Sequence, residues 1–102
     1  MAIIDVDALL EQVSVETGRL QSSLNFAPPE LKRIADQTLQ LQREVLTDQQ
    51  VALLRSSGKR LRPAEEARRA ELIDWIGKEI KALQSLSNAI ARHKEADGRT
   101  SI

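Results

Sequence analysis

Apolar residues in the first 24 positions recur with the spacing of an α-helix. Asp5 precedes them, and an aspartate in this place can accept hydrogen bonds from the free N–H groups of a first helical turn. The stripe is only about 100° wide, which predicts a short helix that docks into one groove. Its apolar members, which enclose Thr17, are Val6, Leu9, Leu10, Val13, Leu20 and Leu24.

A second helix is predicted from Pro28-Pro29 onward. Proline suits a first helical turn, because the N–H group that it lacks would have no partner there. Its apolar positions follow a heptad rhythm and form a face about 160° wide. Thr47 and Gln50 have the form of a capping box, so we expect a break near Thr47-Asp48 before one or two further turns. The heptad positions are Leu31, Ile34, Thr38, Leu41 and Val45, and Leu39 and Leu46 widen the face.

A third helix is predicted after an elbow at residues 58–62, and Pro63 opens it. We expect it to run to Ala96, a length of about 48 Å at 1.5 Å per residue. Asp97-Gly98 should end the helix and leave residues 97–102 as a flexible tail. The apolar face of this helix consists of Leu72, Ile73, Ile76, Ile80, Leu83, Leu86 and Ile90.

These patterns predict an all-α fold in a single domain spanning residues 1–96. We expect a helical hairpin of two long antiparallel helices, with a shorter N-terminal helix packed against them, which together form a small three-helix bundle with coiled-coil-like packing. One short helix cannot cover the wide apolar faces of the two long ones. The pattern therefore favours a dimer or a higher oligomer over a monomer.

Composition excludes several classes of function. The chain of 102 residues has no cysteine, which removes disulfides, thiol nucleophiles and thiolate metal sites. No apolar run approaches the roughly 20 residues that span a bilayer, and the acidic start does not resemble a signal peptide. We therefore expect a cytoplasmic protein with no membrane partner.

The net charge of zero hides a dipolar layout. Residues 1–30 carry five carboxylates and one arginine, a net charge of −4, whereas residues 55–69 carry six cations and two glutamates, a net charge of +4. We expect this basic elbow to pair with the acidic first helix. The alternative is contact with a polyanion, and its candidate residues are Arg55, Lys59, Arg60, Arg62, Arg68 and Arg69.

Little in the sequence indicates catalysis. Glu71 and Asp74 share a helix face, but no matching carboxylate pair stands on the second helix to complete a Mg²⁺ site. His93 is the only histidine, and the four glycines are isolated, so no zinc site or phosphate loop is formed. We expect neither enzyme activity nor a cofactor, a metal or a small-molecule ligand.

Five polar residues fall, by helical phase, on faces that are otherwise aliphatic. A buried polar group left unpaired costs about 1–3 kcal/mol, so these residues either pair across helices or line an open groove. Both alternatives remain open at this point. The residues are Thr17, Thr38, Gln42, Gln49 and Glu79.

The sequence as a whole predicts a non-enzymatic helical interaction module, such as an adaptor, assembly factor or chaperone-like protein. Its expected partners are a second copy of itself in a homodimer and a helical protein. Trp75 is either a core residue or an interface anchor. The alternative function is a small nucleic-acid-binding regulator that uses the basic elbow. The predicted interface residues are Leu41, Val45, Leu72, Trp75, Ile76, Glu79, Leu83 and Leu86.

Overall fold

A computed structural model describes residues 5–56 and 60–100, and the side chains as far as residue 95. These residues form helices and turns, with no strand within the described ranges, so the predicted all-α class is confirmed. A 3₁₀ turn at Leu24–Phe26 follows the first helix. The α-helices are α1 (Val6–Ser23), α2 (Pro29–Val45), α3 (Asp48–Leu54) and α4 (Pro63–Thr100).

Two predicted helix signals are present in the structure. The Asp5 side chain accepts a hydrogen bond of 3.1 Å from the backbone N–H of Ala8 and so caps α1. The Thr47 hydroxyl accepts one of 3.3 Å from the backbone N–H of Gln50, which starts α3 as a separate helix. The predicted break near Thr47-Asp48 is therefore confirmed.

The last helix is longer than predicted. α4 contains 38 residues, which corresponds to about 57 Å, and it continues past Ala96 to Thr100. A glycine near a helix end costs only about 1 kcal/mol relative to alanine, so Gly98 does not by itself stop the helix. The flexible tail stays a prediction, and its last two residues, Ser101 and Ile102, lie outside the described residues. Residues 57–59, which include the start of the predicted elbow, also lie outside them.

The contacts at the helix ends fix the direction of α1 relative to α4. Near the start of α1, Asp7 binds Arg55, and the neighbouring Leu54 carbonyl binds Arg69 of α4. At the other end, the Lys94 ammonium lies 4.0 Å from the centroid of the Phe26 ring. Hence α1 runs alongside α4 in the same direction, and of the short helices it has the most extensive contact with α4.

The second helix returns along α4 in the opposite direction. It begins directly after Phe26, near the end of α4, and ends at Val45, which shares a cleft with Leu72 and Trp75 near the beginning of α4. α2 and α3 each contact α4 far less than α1 does. One side of α2 is therefore thinly covered.

The core consists mainly of the predicted faces of α1 and α4. The predicted face of α2 needs a correction, because its buried residues are Ala35 and Leu39 instead of the heptad positions Ile34 and Leu41. Members of the two pairs point in directions that differ by about 100–160° at 100° per residue. The buried apolar residues are Val6, Val13, Leu20, Ala35, Leu39, Leu54, Leu72, Ile76, Ile80, Leu83 and Ile90.

The folded chain is elongated and thin. Its principal extents are 62 × 27 × 16 Å and its radius of gyration is 16.7 Å, against about 13 Å for a compact domain of this length. Its accessible surface is 7334 Å², whereas a compact monomer of the same mass exposes about 5,800 Å². A single copy therefore leaves about 1,500 Å² more surface in water than is usual.

Two valines on α1 test the assignment of the core. Val13 is 3% exposed and Val15 is 59% exposed. We expect Val13→Ala to lower the free energy of unfolding by about 1.5–3 kcal/mol, the contribution of a fully buried valine. Val15→Ala should change it by less than about 0.5 kcal/mol. Urea denaturation of both variants measures the difference, and equal effects would show that the buried face of α1 is wrongly assigned.

Candidate functional site

An uncovered apolar strip runs along α2, and we call it the α2 edge. It comprises the heptad positions Leu31, Ile34, Thr38, Leu41 and Val45. Exposure increases around the helix, because Leu31, Thr38 and Val45 are half-buried while Ile34 is 42% and Leu41 49% exposed. Ile34 and Leu41 are therefore the side chains of the strip that are most exposed to solvent. A strip of aliphatic side chains at heptad spacing is the pattern by which one helix packs against another.

A cleft of about 310 Å³ adjoins the α2 edge at Val45. Trp75 of α4 is half-buried and lines this cleft, with Leu72 beside it. The rim carries two ion pairs within α4. One joins Arg68 to Glu71 at 3.4 Å and the other joins Lys78 to Asp74 at 3.1 Å. Both pairs are largely exposed, so they contribute at most about 1 kcal/mol each and leave the cleft accessible.

Half of the predicted interface residues lie inside the chain. Leu72, Ile76, Glu79 and Leu83 are between 0% and 6% exposed, because α1, α2 and α3 cover this face of α4. A partner cannot touch them without unfolding the bundle, so their assignment to a partner surface is corrected to the core.

The other four predicted interface residues remain accessible. Leu41 is exposed, and Val45, Trp75 and Leu86 are half-buried. A partner could therefore reach them on the folded chain. Their role as an interface stays a prediction.

Two of the in-stripe polar residues pair across helices. The Gln42 amide nitrogen donates to the Thr17 hydroxyl at 3.0 Å, and that hydroxyl lies 3.2 Å from the Gln42 carbonyl oxygen. The pair is partly buried and joins α1 to α2. Of the two alternatives, pairing across helices therefore holds for these two residues. Thr38 is half-buried, as its phase predicts, whereas Gln49 is exposed because the break moves it away from the face.

The remaining in-stripe polar residue, Glu79, has a buried carboxyl group. Glu79 is 6% exposed, and its Oε2 atom has no hydrogen-bond partner. Burial raises the pKa of the Glu79 carboxyl above its usual value of 4.5, because the low dielectric disfavours the charged form. The prediction that Glu79 points into the core is confirmed, and no described contact compensates its burial.

Two buried polar residues were not predicted from the sequence. Glu16 is 9% exposed and Ser87 is 3% exposed, and each has a buried oxygen without a hydrogen-bond partner. Helical phase could have found both. Glu16 lies three residues after Val13, and Ser87 lies three before Ile90, on the same faces.

Among the described residues, the basic elbow contacts the first helix through Arg55. Arg55 Nε lies 3.2 Å from Asp7 Oδ1, and both side chains are mostly exposed. An exposed pair of this kind contributes at most about 1 kcal/mol. The predicted pairing of elbow and acidic helix is therefore present at this one position.

Two other elbow cations bind within the chain. Arg69 Nε donates to the Leu54 carbonyl at 3.0 Å, which satisfies an acceptor at the end of α3, and Arg68 binds Glu71 of its own helix. Arg60 and Arg62 are exposed, and Lys59 lies outside the described residues. The candidate polyanion residues do not converge on one cavity among the residues that the structure describes.

Comparisons with known proteins give no guide to function. No protein family model matches the sequence, no curated protein is significantly similar to it, and no solved structure is a significant match. Within residues 5–56 and 60–100, no helix is long and apolar enough to cross a bilayer. In the same part of the chain, no group of three acidic or histidine side chains is arranged to hold a metal ion.

Glu79→Gln should change how stability depends on pH. Since burial raises the folded-state pKa of Glu79, the folded chain holds this proton more tightly than the unfolded chain. The parent should therefore lose stability as the pH rises from about 4.5, and the variant should lose less. Urea denaturation of both proteins from pH 4 to pH 8 measures the difference in free energy of unfolding.

The exposed residue Glu11 provides the matched control, because Glu11→Gln removes a carboxylate from the surface of α1. The two glutamine variants should separate as the pH rises. A constant gap between parent and Glu79→Gln at all pH values would contradict the burial of an ionisable Glu79.

The arginines at positions 68 and 69 form a second matched pair. Arg69→Gln should lower the free energy of unfolding by about 1–2 kcal/mol, because a charged hydrogen bond to the end of α3 is lost. Arg68→Gln removes only an exposed ion pair and should cost less than about 0.5 kcal/mol. Hydrogen exchange of the α3 amides should accelerate in the first variant only, and equal acceleration in both would contradict the capping role.

Proposed function

We propose that the protein is a non-enzymatic helical interaction module of the cytoplasm, which acts by presenting the α2 edge and the Trp75 cleft to another helix. Its working form is a hairpin-like helical bundle, in which the heptad stripe of α2 packs in the manner of a coiled coil against the helix of a partner. Its first partner is a second copy of the chain, and a helical protein with an apolar face is the second kind of partner.

The observation that carries this proposal is the exposure of Ile34 and Leu41. Both belong to a heptad stripe, and both lie on the side of α2 that the rest of the chain leaves open. Isolated exposed aliphatic residues are common on protein surfaces. Here the two residues are one heptad apart, and the other three heptad positions of α2 are half-buried. The five side chains therefore form a continuous strip.

The polar contacts favour a preformed surface. The hydrogen bonds between Thr17 and Gln42 join α2 to α1 about 90° around the helix from Ile34 and Leu41. They hold α2 in a defined rotation about its axis, since any other rotation would leave both polar groups unpaired. A helix fixed in this way presents the same edge to each partner, and preorganisation favours binding.

The nucleic-acid alternative is less well supported. Three of its candidate residues, Arg55, Arg68 and Arg69, already bind groups within the chain. Glu65 lies among them, and its carboxylate caps α4 by accepting the Arg62 N–H at 3.1 Å, which places negative charge where a phosphate would bind. A nucleic-acid site usually has a clear excess of basic groups.

Light scattering distinguishes the two functions. The molar mass is measured at about 50 and 200 mM salt, with and without duplex DNA and RNA. We expect a mass above that of one chain at micromolar concentration and no change on adding nucleic acid. A monomer that binds nucleic acid, with affinity falling steeply as salt rises, would overturn the proposal and establish the alternative.

A further inference from the structure

We propose that a second copy of this chain covers the α2 edge, with the two α2 helices antiparallel about a two-fold axis near Thr38. This inference rests on the proposed function and adds to it the identity of the occupant, the surface and the register.

The area that one copy leaves exposed is large enough for a stable dimer. A standard interface buries about 800 Å² on each partner, and the whole elongated chain, of which the α2 edge is one part, exposes about 1,500 Å² more than a compact monomer of its mass. α2 contains 17 residues and is about 25 Å long. Reaching about 800 Å² therefore requires the second copy to contact α4 beside Val45 and Trp75 as well as α2.

The spacing of the apolar side chains fits an interface of the chain with itself. In an antiparallel pair centred near Thr38, Ile34 of one copy lies within one residue, about 1.5 Å along the axis, of Leu41 of the other. Leu31 lies level with Val45 in the same arrangement. The most exposed residues thus cover each other, and the two copies make each contact twice, as a two-fold interface requires.

The residue at the two-fold axis is polar. Thr38 of one copy meets Thr38 of the other, and a polar group at one such position specifies register in helix pairs. An antiparallel register shifted to another heptad position would place Thr38 against an aliphatic side chain.

The charges beside the strip set a limit on its affinity. Glu30, Gln37 and Glu44 occupy the flanking positions that face away from the core of the chain. In the antiparallel pair, Glu30 of one copy lies near Glu44 of the other, and like charges repel. The dimer should therefore tighten with added salt, which is the opposite of the response expected for polyanion binding.

Single cysteines test the register. The natural chain has no cysteine, so an introduced thiol has no competitor. Ile34→Cys and Leu41→Cys are mixed in equal amounts, with one variant labelled with ¹⁵N, and oxidised in the native protein. We expect disulfides mainly between the two variants, and few between identical copies, because like positions are about 10 Å apart along the pair, beyond disulfide reach.

Cross-links within each variant alone would overturn the antiparallel register, because a parallel pair brings like positions together. Val15→Cys on α1 is the control for random collisions, since Val15 is more exposed than either residue of the strip. Cross-linking of the Val15 variant to the same extent as the mixture would also overturn the proposal.

Charge variants test the surface. Leu41→Glu should weaken dimerisation by more than about tenfold, since each dimer contains two buried copies of the change. Val15→Glu, an identical introduced charge on an exposed aliphatic position, should leave the dimer intact. Glu44→Lys should tighten the dimer, because the introduced ammonium would face Glu30 of the second copy. Circular dichroism checks that each variant remains helical.

The results of these experiments distinguish the proposed α2 dimer from the proposed interaction function. A dimer that Leu41→Glu leaves unchanged would overturn this inference while the interaction function stands. A parent protein that is strictly monomeric at high micromolar concentration would overturn both. Salt-steep nucleic-acid binding by a monomer would replace the function with its alternative.

Discussion

The structure depends on the burial of one long apolar face on α4. Leu72, Ile76, Leu83 and Ile90 are almost fully buried along a helix of about 57 Å, and no other described helix approaches that length. Three shorter helices therefore cover this apolar face together. α1 packs against most of the face in the parallel direction, and α2 and α3 cover what remains. The elongated shape and the open side of α2 both follow from this mismatch in length.

Polar groups inside the bundle divide into those that are compensated and those that are not. Thr17 and Gln42 satisfy each other and fix α2 against α1. Glu16 and Glu79 each keep a buried carboxylate oxygen without a described partner, which lowers the stability of the monomer. Removing one partner of the Thr17–Gln42 pair would likewise leave a partly buried polar group unpaired.

Several charged side chains of the elbow region make contacts within the chain. Arg55, Arg69 and Glu65 respectively bind Asp7, the end of α3 and the start of α4, so the basic elbow mainly terminates and orients helices. The aliphatic strip on α2, with Trp75 nearby, is not used in these contacts. It is the surface on which the proposed interaction with another helix depends.

The sequence by itself determined the local structure. Helical periodicity, Asp5, Thr47 and Pro63 gave the helices, their caps and the break, because these signals act within a few residues of the chain. Phase also placed the buried faces of α1 and α4. Only the tertiary structure decided which part of the wide face on α2 is buried, since Leu39 and Leu41 are equally apolar and neighbouring helices choose between them. The same holds for the partners of Arg55, Arg69 and Phe26, because those contacts join residues 15 or more positions apart, and no local pattern encodes them.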